Sequence, residues 1–216
     1  MRKKIVIFDL DGTLLNTLID LTNSTNFALQ SFGYPQKTVE QVRDYVGNGV
    51  VKLIERAIPD GLANPDFENC LNLFKQDYKK NMYKNVRVYD GISGLLAALK
   101  NMDIKISVVS NKFDLAVKDL CNKLFPDLID AAYGENEAEG IKKKPSPDMV
   151  LKVMNSFSLT KEECLYVGDS EVDIETAYNA GIDCVSVTWG FKSIEFLKEH
   201  GAKNIANTPS EIINYL

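Results

Sequence analysis

The chain's first apolar run is continuous: Ile5, Val6, Ile7 and Phe8 follow one another without a polar break. Such a run, rich in Ile and Val, predicts a strand buried on both faces, as in a parallel α/β sheet. After it the pattern changes period. Leu18, Leu21, Ala28, Leu29 and Phe32 keep helical spacing up to Gly33, and Thr38 with Gln41 makes a capping box for a helix carrying Val39, Val42 and Val46. Gly47-Asn48-Gly49 interrupts that helix. Val51, Ile54 and Ile58 stripe another that ends near Pro59-Asp60-Gly61, and Phe67, Cys70, Leu71, Phe74 and Tyr78 stripe one more. From about 15 to 85 the pattern is therefore helical, without a convincing strand.

Past Tyr89-Asp90-Gly91 strands and helices alternate. A helix through Ile92, Leu95, Leu96, Leu99 and Met102 precedes a strand over 104–110. A helix over 115–124 and a short strand near 129–133 follow. Ser146 as cap, with Pro147 at the first helical position, opens a helix carrying Val150, Val153, Met154 and Phe157. Strands over 164–168 and 184–188 enclose a helix over 173–179 stopped by Gly181, and helices near 194–199 and 210–215 close the chain. Alternation of this kind predicts an α/β fold: a Rossmann-like parallel sheet with helices on both faces. The expected domains are a core of residues 1–15 and 86–216 and an inserted helical cap of residues 16–85. Its insertion after the first strand suits a lid over that strand's carboxyl end.

Composition narrows the picture a little. In 216 residues, 45% hydrophobic and 25% charged, a proper soluble core is expected. A net charge of -5 argues against a nucleic-acid surface. Cys70, Cys121, Cys164 and Cys184 are widely spaced without a C-x-x-C pair, which reads as reduced thiols rather than a disulfide or zinc framework. The basic start Met1-Arg2-Lys3-Lys4 precedes an apolar run cut short by Asp9 and Asp11, so neither a signal peptide nor a membrane span is expected. The expected location is cytoplasmic.

Candidate chemistry collects at the strand ends. Asp9, Asp11 and Thr13 follow the first strand, and the carboxyl ends of parallel strands are where open α/β sheets bind ligands. Two carboxylates so close repel unless a cation or shared proton holds them, and a hard divalent cation such as Mg²⁺ would do so. Ser110-Asn111 closes a later strand, either as a place for a phosphate oxygen or as a simple turn. Lys142-Lys143-Lys144-Pro145 brings positive charge to a helix N-terminus, or is a solvated run. Gly168-Asp169-Ser170 with Asp173 offers metal-binding carboxylates, or an N-cap with a first-turn acid. Together, in this order at element boundaries, they fit a carboxylate nucleophile attacking phosphorus beside a cation and a lysine.

Asp9-Leu10-Asp11-Gly12-Thr13, Ser110, Lys144 before Pro145, and Gly168-Asp169-Ser170-x-x-Asp173 resemble the four motifs of the haloacid dehalogenase-like (HAD) superfamily of phosphotransferases, over nearly the whole chain. The resemblance implies Asp9 as nucleophile forming an aspartyl phosphate and Asp11 as general acid/base. It implies phosphoryl binding by Ser110 and the Asn111 backbone, with Lys144 offsetting charge. It implies Mg²⁺ held by Asp9, the Asp11 backbone carbonyl and Asp169, with Asp173 as a further ligand or support. Val42-Arg43-x-x-Val46-Gly47-Asn48-Gly49 and Thr188-Trp189-Gly190-Phe191 are similar to stretches in phosphoglycolate phosphatases, so Arg43, Gly47 and Asn48 are candidates to face the leaving group. Arg43 reads equally as a solvated helix residue. Asn16-Thr17 departs from the Asp-Ser or Asp-Thr of many relatives, which bears on cap closure rather than chemistry.

The expected function is a Mg²⁺-dependent phosphatase acting on a small phosphomonoester, phosphoglycolate being the single best guess. Phosphomutase, pyrophosphatase and nucleotidase readings use the same core residues, and a non-catalytic binding module is the alternative from another class. The expected partner is a small phosphate ester, with no nucleic acid or membrane; either a monomer or a homodimer fits.

Overall fold

Strand β1, Ile5–Phe8, is buried along its whole length and runs through the middle of the sheet. The computed structural model describes residues 2–136 and 140–216. In chain order the elements are β1, β2 (Leu15–Asn16), α1 (Leu18–Ser31), α2 (Val39–Tyr45), α3 (Val50–Ala57), α4 (Phe67–Asn81) and β3 (Arg87–Val88). Then follow α5 (Ile92–Asn101), β4 (Lys105–Phe113), α6 (Asp114–Leu124), β5 (Ala131–Glu135) and α7 (Asp148–Ser156). The last are β6 (Cys164–Gly168), α8 (Glu171–Ala180), β7 (Asp183–Val187), α9 (Ile194–Glu199) and β8 (Asn204–Ala206), before a 3-10 stretch, Pro209–Tyr215. The main sheet is six-stranded and parallel, in the order β5-β4-β1-β6-β7-β8.

This order has a switch point at β1. The chain leaves β1 for β4 and β5 on one side, then returns to β6, β7 and β8 on the other. In open α/β sheets the crevice at the carboxyl ends beside such a reversal is the natural ligand site. Phe8 lies opposite both Val108 and Val167, so Asp9, Ser110 and Asp169 emerge at nearly the same height on three adjacent strands. Side chains alternate across the sheet. Ile5 and Ile7 share one face with Val109, Cys164 and Tyr166, packed against Met149, Val150, Val153 and Met154 of α7 and Ala177 and Ala180 of α8. Burying each large apolar side chain is worth about 1.5–3 kcal/mol, so this layer makes a rigid floor for polar groups at its rim.

Two compact units are present: Met1–Leu15 with Val88–Leu216, and Asn16–Arg87. The two chain crossings pair as a small ribbon of β2 with β3. Within the second unit α1 packs along α4. Phe74 and Tyr78 stack inside it with ring centroids 5.5 Å apart. The Thr38/Gln41 capping box forms as the pattern predicts. Buried Asp20 accepts hydrogen bonds from the Asn85 backbone N–H, at 3.0 and 3.1 Å, and from its side-chain amide at 2.8 Å. That ties the first turn of α1 to the segment entering β3.

Three local expectations are revised. β4 runs to Phe113 instead of stopping at 110, with an irregular register against β5 between Val109 and Phe113. Helix α7 starts at Asp148 with Pro147 as its cap residue, because the Ser146 hydroxyl donates to the Asp148 carboxylate at 2.6 Å instead of capping the backbone. Strand β8, at three residues, is too short to show a period. All four cysteines are free thiols. No described helix is long and apolar enough to cross a membrane.

Candidate active site

Asp9 follows β1 directly, its backbone N–H donating to the Val167 carbonyl of β6 at 2.9 Å. Its side chain is buried beside Lys144, whose ammonium donates to Asp9 Oδ1 and Asp173 Oδ1, both at 2.7 Å, and lies 3.2 Å from the Tyr166 hydroxyl. Tyr166 in turn donates to Asp173 Oδ1 at 3.0 Å. Asp173 Oδ2 accepts from the Ser170 N–H at 3.1 Å and its hydroxyl at 2.6 Å. Ser170 and Asp173 thereby form the capping box of α8, and the same Asp173 pairs with Lys144.

Asn111 takes a different part from the one its strand-end position suggests. Its side-chain amide clamps the Lys144 backbone, accepting from Lys144 N–H at 2.7 Å and donating to Lys144 C=O at 3.1 Å. The lysine is thus held from both ends. Ser110 is buried next to it in sequence, its hydroxyl accepting from the Lys112 N–H at 3.3 Å. Asp11 turns to Lys112, whose ammonium lies 3.0 Å from each Asp11 carboxylate oxygen.

Asp169 completes the buried acidic group. Asp9, Asp169 and Asp173 each offer an oxygen within 4.8 Å of the others. The Phe191 N–H donates to Asp169 Oδ2 at 2.7 Å and the Thr13 hydroxyl to Oδ1 at 3.3 Å, while the Trp189 indole N–H donates to the Thr13 carbonyl at 2.9 Å. Gly12 and Gly190 let this carboxylate in: a Cβ at either position would overlap it.

The electrostatics follow from the burial. Burial, with Asp173 and Asp11 adding to it against Lys144, pushes the Asp9 carboxyl up to about 7. Burial, then Asp173 and Asp9, push Asp169 well above the carboxylate range. Burial alone would lower Lys144, but Asp173 and Asp9 outweigh it and hold the ammonium above the ordinary lysine range. Three buried carboxylates facing one ammonium are short of positive charge, and a hard divalent cation fits that deficit and these oxygen donors. Asp169 and Asp173 both have their two oxygens engaged by protein donors, and Asp173 differs in being paired directly with the Lys144 ammonium at 2.7 Å.

Arg43, Gly47 and Asn48 belong to the helical unit. Arg43 is exposed in the last turn of α2. Asn48 accepts from Arg56 at 2.9 Å, and Arg56 also donates to the Tyr45 carbonyl at 2.8 Å, so an arginine of α3 props the loop of Gly47 and Gly49. Sequence reasoning missed Lys112, Tyr166 and Arg56, and it noted Gly190 and Phe191 only as part of a similar stretch, with no role beside Asp169. Tyr166 reads as core inside an apolar strand, and Lys112 lies past the expected strand end.

Residues 6–187 match the family model of haloacid dehalogenase-like hydrolases. The phosphoglycolate phosphatase of Pseudomonas putida is 32% identical over 219 residues, covering 99% of this chain and 77% of that protein. That of Vibrio vulnificus is also 32% identical, covering 98% of this chain and 95% of the relative. A crystal structure from Lactobacillus delbrueckii subsp. bulgaricus, of a provisionally assigned phosphoglycolate phosphatase, superposes with a TM-score of 0.95 at 34% identity, over 100% of this chain and 98% of the other.

Proposed function

The chain belongs to the haloacid dehalogenase-like hydrolase family, and on that premise we propose that it is a Mg²⁺-dependent phosphomonoesterase for a small phosphate ester, phosphoglycolate first among candidates. The observation that carries this reading is the buried Asp9–Lys144–Asp173 chain with Asp169 beside it, at the carboxyl end of the central strand. The substrate preference rests on the names of the relatives.

In this reading an Asp9 carboxylate oxygen attacks phosphorus, the bond to the leaving oxygen breaks, and that oxygen takes a proton from Asp11. Water then adds to the aspartyl phosphate, giving its proton to Asp11, as the Asp9–phosphorus bond breaks and inorganic phosphate departs. Ser110 and the Asn111 backbone bind the phosphoryl oxygens. Lys144 favours the ionised form of Asp9 against its burial and aims its carboxylate. Asp9, Asp169 and the Asp11 carbonyl, with Asp173 in support, would hold Mg²⁺, which would supply positive charge where two anions meet. Specificity for the leaving group falls to the helical unit, with Arg43, Gly47 and Asn48 as its candidates.

The experiment is phosphate release from phosphoglycolate, sugar phosphates, nucleoside monophosphates and pyrophosphate, with Mg²⁺ or with EDTA, beside Asp9→Asn. Release that needs Mg²⁺ and disappears in Asp9→Asn is expected, with phosphoglycolate the fastest substrate. Turnover retained by Asp9→Asn would sink the mechanism, and a different ranking would replace the substrate.

A further inference from the structure

Beyond the residues already assigned, the ammonium of Lys112 grips both carboxylate oxygens of Asp11 at 3.0 Å. The lysine side chain is 4% exposed and its partner's 15%. An ammonium so far out of water needs a compensating anion, so the pair is a defined geometry, not a surface encounter. Its foundation is rigid. β4 extends to Phe113, its register against β5 irregular between Val109 and Phe113, and Lys112 lies inside that stretch beside Ser110. The Lys112 N–H donates to the Ser110 hydroxyl. From β5, Gly134 approaches so closely that a Cβ there would overlap the Lys112 carbonyl. Asp11, by contrast, stands in the loop after β1, where the Gly12 N–H donates to Leu15 C=O at 2.9 Å and the Leu14 N–H to Leu10 C=O at 3.0 Å. The backbone of that loop is fixed, but its carboxylate would be left to rotate without a partner.

We infer that Lys112 is the positioning residue of Asp11, setting the plane of the carboxylate that moves protons in both half-reactions. This inference rests on the phosphoaspartate reading. A proton-transfer group has to be held within about half an ångström of its productive place, and a two-point grip on both oxygens does that where a single hydrogen bond would not. The rival part for a lysine beside Ser110 is to bind the phosphoryl group directly. The two make different demands. A phosphate-binding lysine supports substrate affinity and Asp9 attack on every ester. A lysine that orients Asp11 matters least for esters whose leaving group departs without a proton, and most for hydrolysis of the aspartyl phosphate.

The test is stopped-flow kinetics of the full chain with p-nitrophenyl phosphate, whose phenolate needs no protonation, and steady-state kinetics with phosphoglycolate. Lys112→Met is expected to lower kcat on both by about 10- to 100-fold, less than the about 100- to 10,000-fold of a whole general acid–base contribution because Asp11 itself remains. It is expected to leave KM for phosphoglycolate within about threefold, and to show a p-nitrophenolate burst approaching one per site as the phosphoenzyme accumulates. Lys112→Arg, which keeps a two-point grip, should recover most of kcat, and Lys112→Met should add nothing in an Asp11→Asn background. Lys112→Gln, which retains a donor toward Asp11, serves if the Met variant does not fold, with a smaller burst expected. An unchanged kcat, a raised KM with kcat kept, or an effect additive with Asp11→Asn would each overturn the inference. Asp9→Asn, run alongside, reads the underlying mechanism: turnover there overturns both claims, whereas a dead Asp9→Asn beside an unaffected Lys112→Met overturns this one alone.

Discussion

At the scale of single residues, the site depends on side chains that are small or absent as much as on those that are charged. Asp169 reaches its place only because Gly12 and Gly190 have no Cβ, and because the Phe191 N–H waits at 2.7 Å to receive it. Gly190→Ala would drive a methyl group into the Asp169 carboxylate and the Gly12 carbonyl, both of which belong to well-packed surroundings. The expected outcome is a loss of about 10-fold or more in Mg²⁺ affinity, read from the Mg²⁺ dependence of kcat, with a folded circular dichroism spectrum. Unchanged Mg²⁺ dependence would show that Asp169 is not a ligand. Nothing in the sequence around Gly190 discloses this constraint, since the partner arrives from another strand. Asp9, Asp11 and Asp169 are legible because charge at the end of an apolar run is conspicuous. Tyr166 is not, because its hydroxyl is hidden in a strand whose other residues are apolar.

At the scale of elements, β4 shows how the two ends of an interior strand are anchored. Five strands of the main sheet and the helical stripes were legible in the apolar period; the short strands β2, β3 and β8 were not, nor was the length of β4, because Asn111 and Lys112 look like the start of a loop. What holds the strand's other end is Asp130, which accepts from the Ile106 N–H and the Lys100 ammonium at 2.9 Å and from Lys105 at 3.1 Å. Burial alone would raise the Asp130 carboxyl, but the Ile106 N–H and the two lysines outweigh it and hold it below the ordinary value. An acid with a depressed folded pKa contributes stability above its unfolded value, near 3.8, and loses that contribution as pH falls through the lower folded value. Asp130→Asn is therefore expected to lower stability by about 1 kcal/mol near neutral pH, discounted for partial exposure, and by less in acid. Urea melts at about pH 7 and about pH 3 measure it, and an equal loss at both would assign the role of Asp130 to packing.

At the scale of the whole molecule, the charge deficit of the site would couple folding to the proposed cation. The Asp9 carboxyl stands at about 7 instead of 3.8, chiefly through burial, with Lys144 opposing and Asp173 adding. Asp169 is displaced the same way. For an acid raised on folding, the sign is the reverse of Asp130. Its contribution is intact below the unfolded value and is lost as pH rises toward the folded one, because the unfolded chain ionises freely and the folded one resists. The metal-free protein thus carries a penalty that grows from about pH 4 to about pH 7. A bound divalent cation would remove it by supplying the missing positive charge, and would have to displace bound protons to do so at lower pH. Ligand at 100 times its Kd adds about 2.7 kcal/mol of stability. The increase in Tm on adding Mg²⁺ should therefore be small at about pH 5.5 and larger at about pH 8, and Asp169→Asn should flatten that difference. Thermal melts with Mg²⁺ against EDTA at the two pH values measure it without substrate. An increment equal at both would mean that the cation binds without displacing protons from Asp9 or Asp169, and the carboxylates would then have to be ionised in the metal-free fold by a charge other than Lys144.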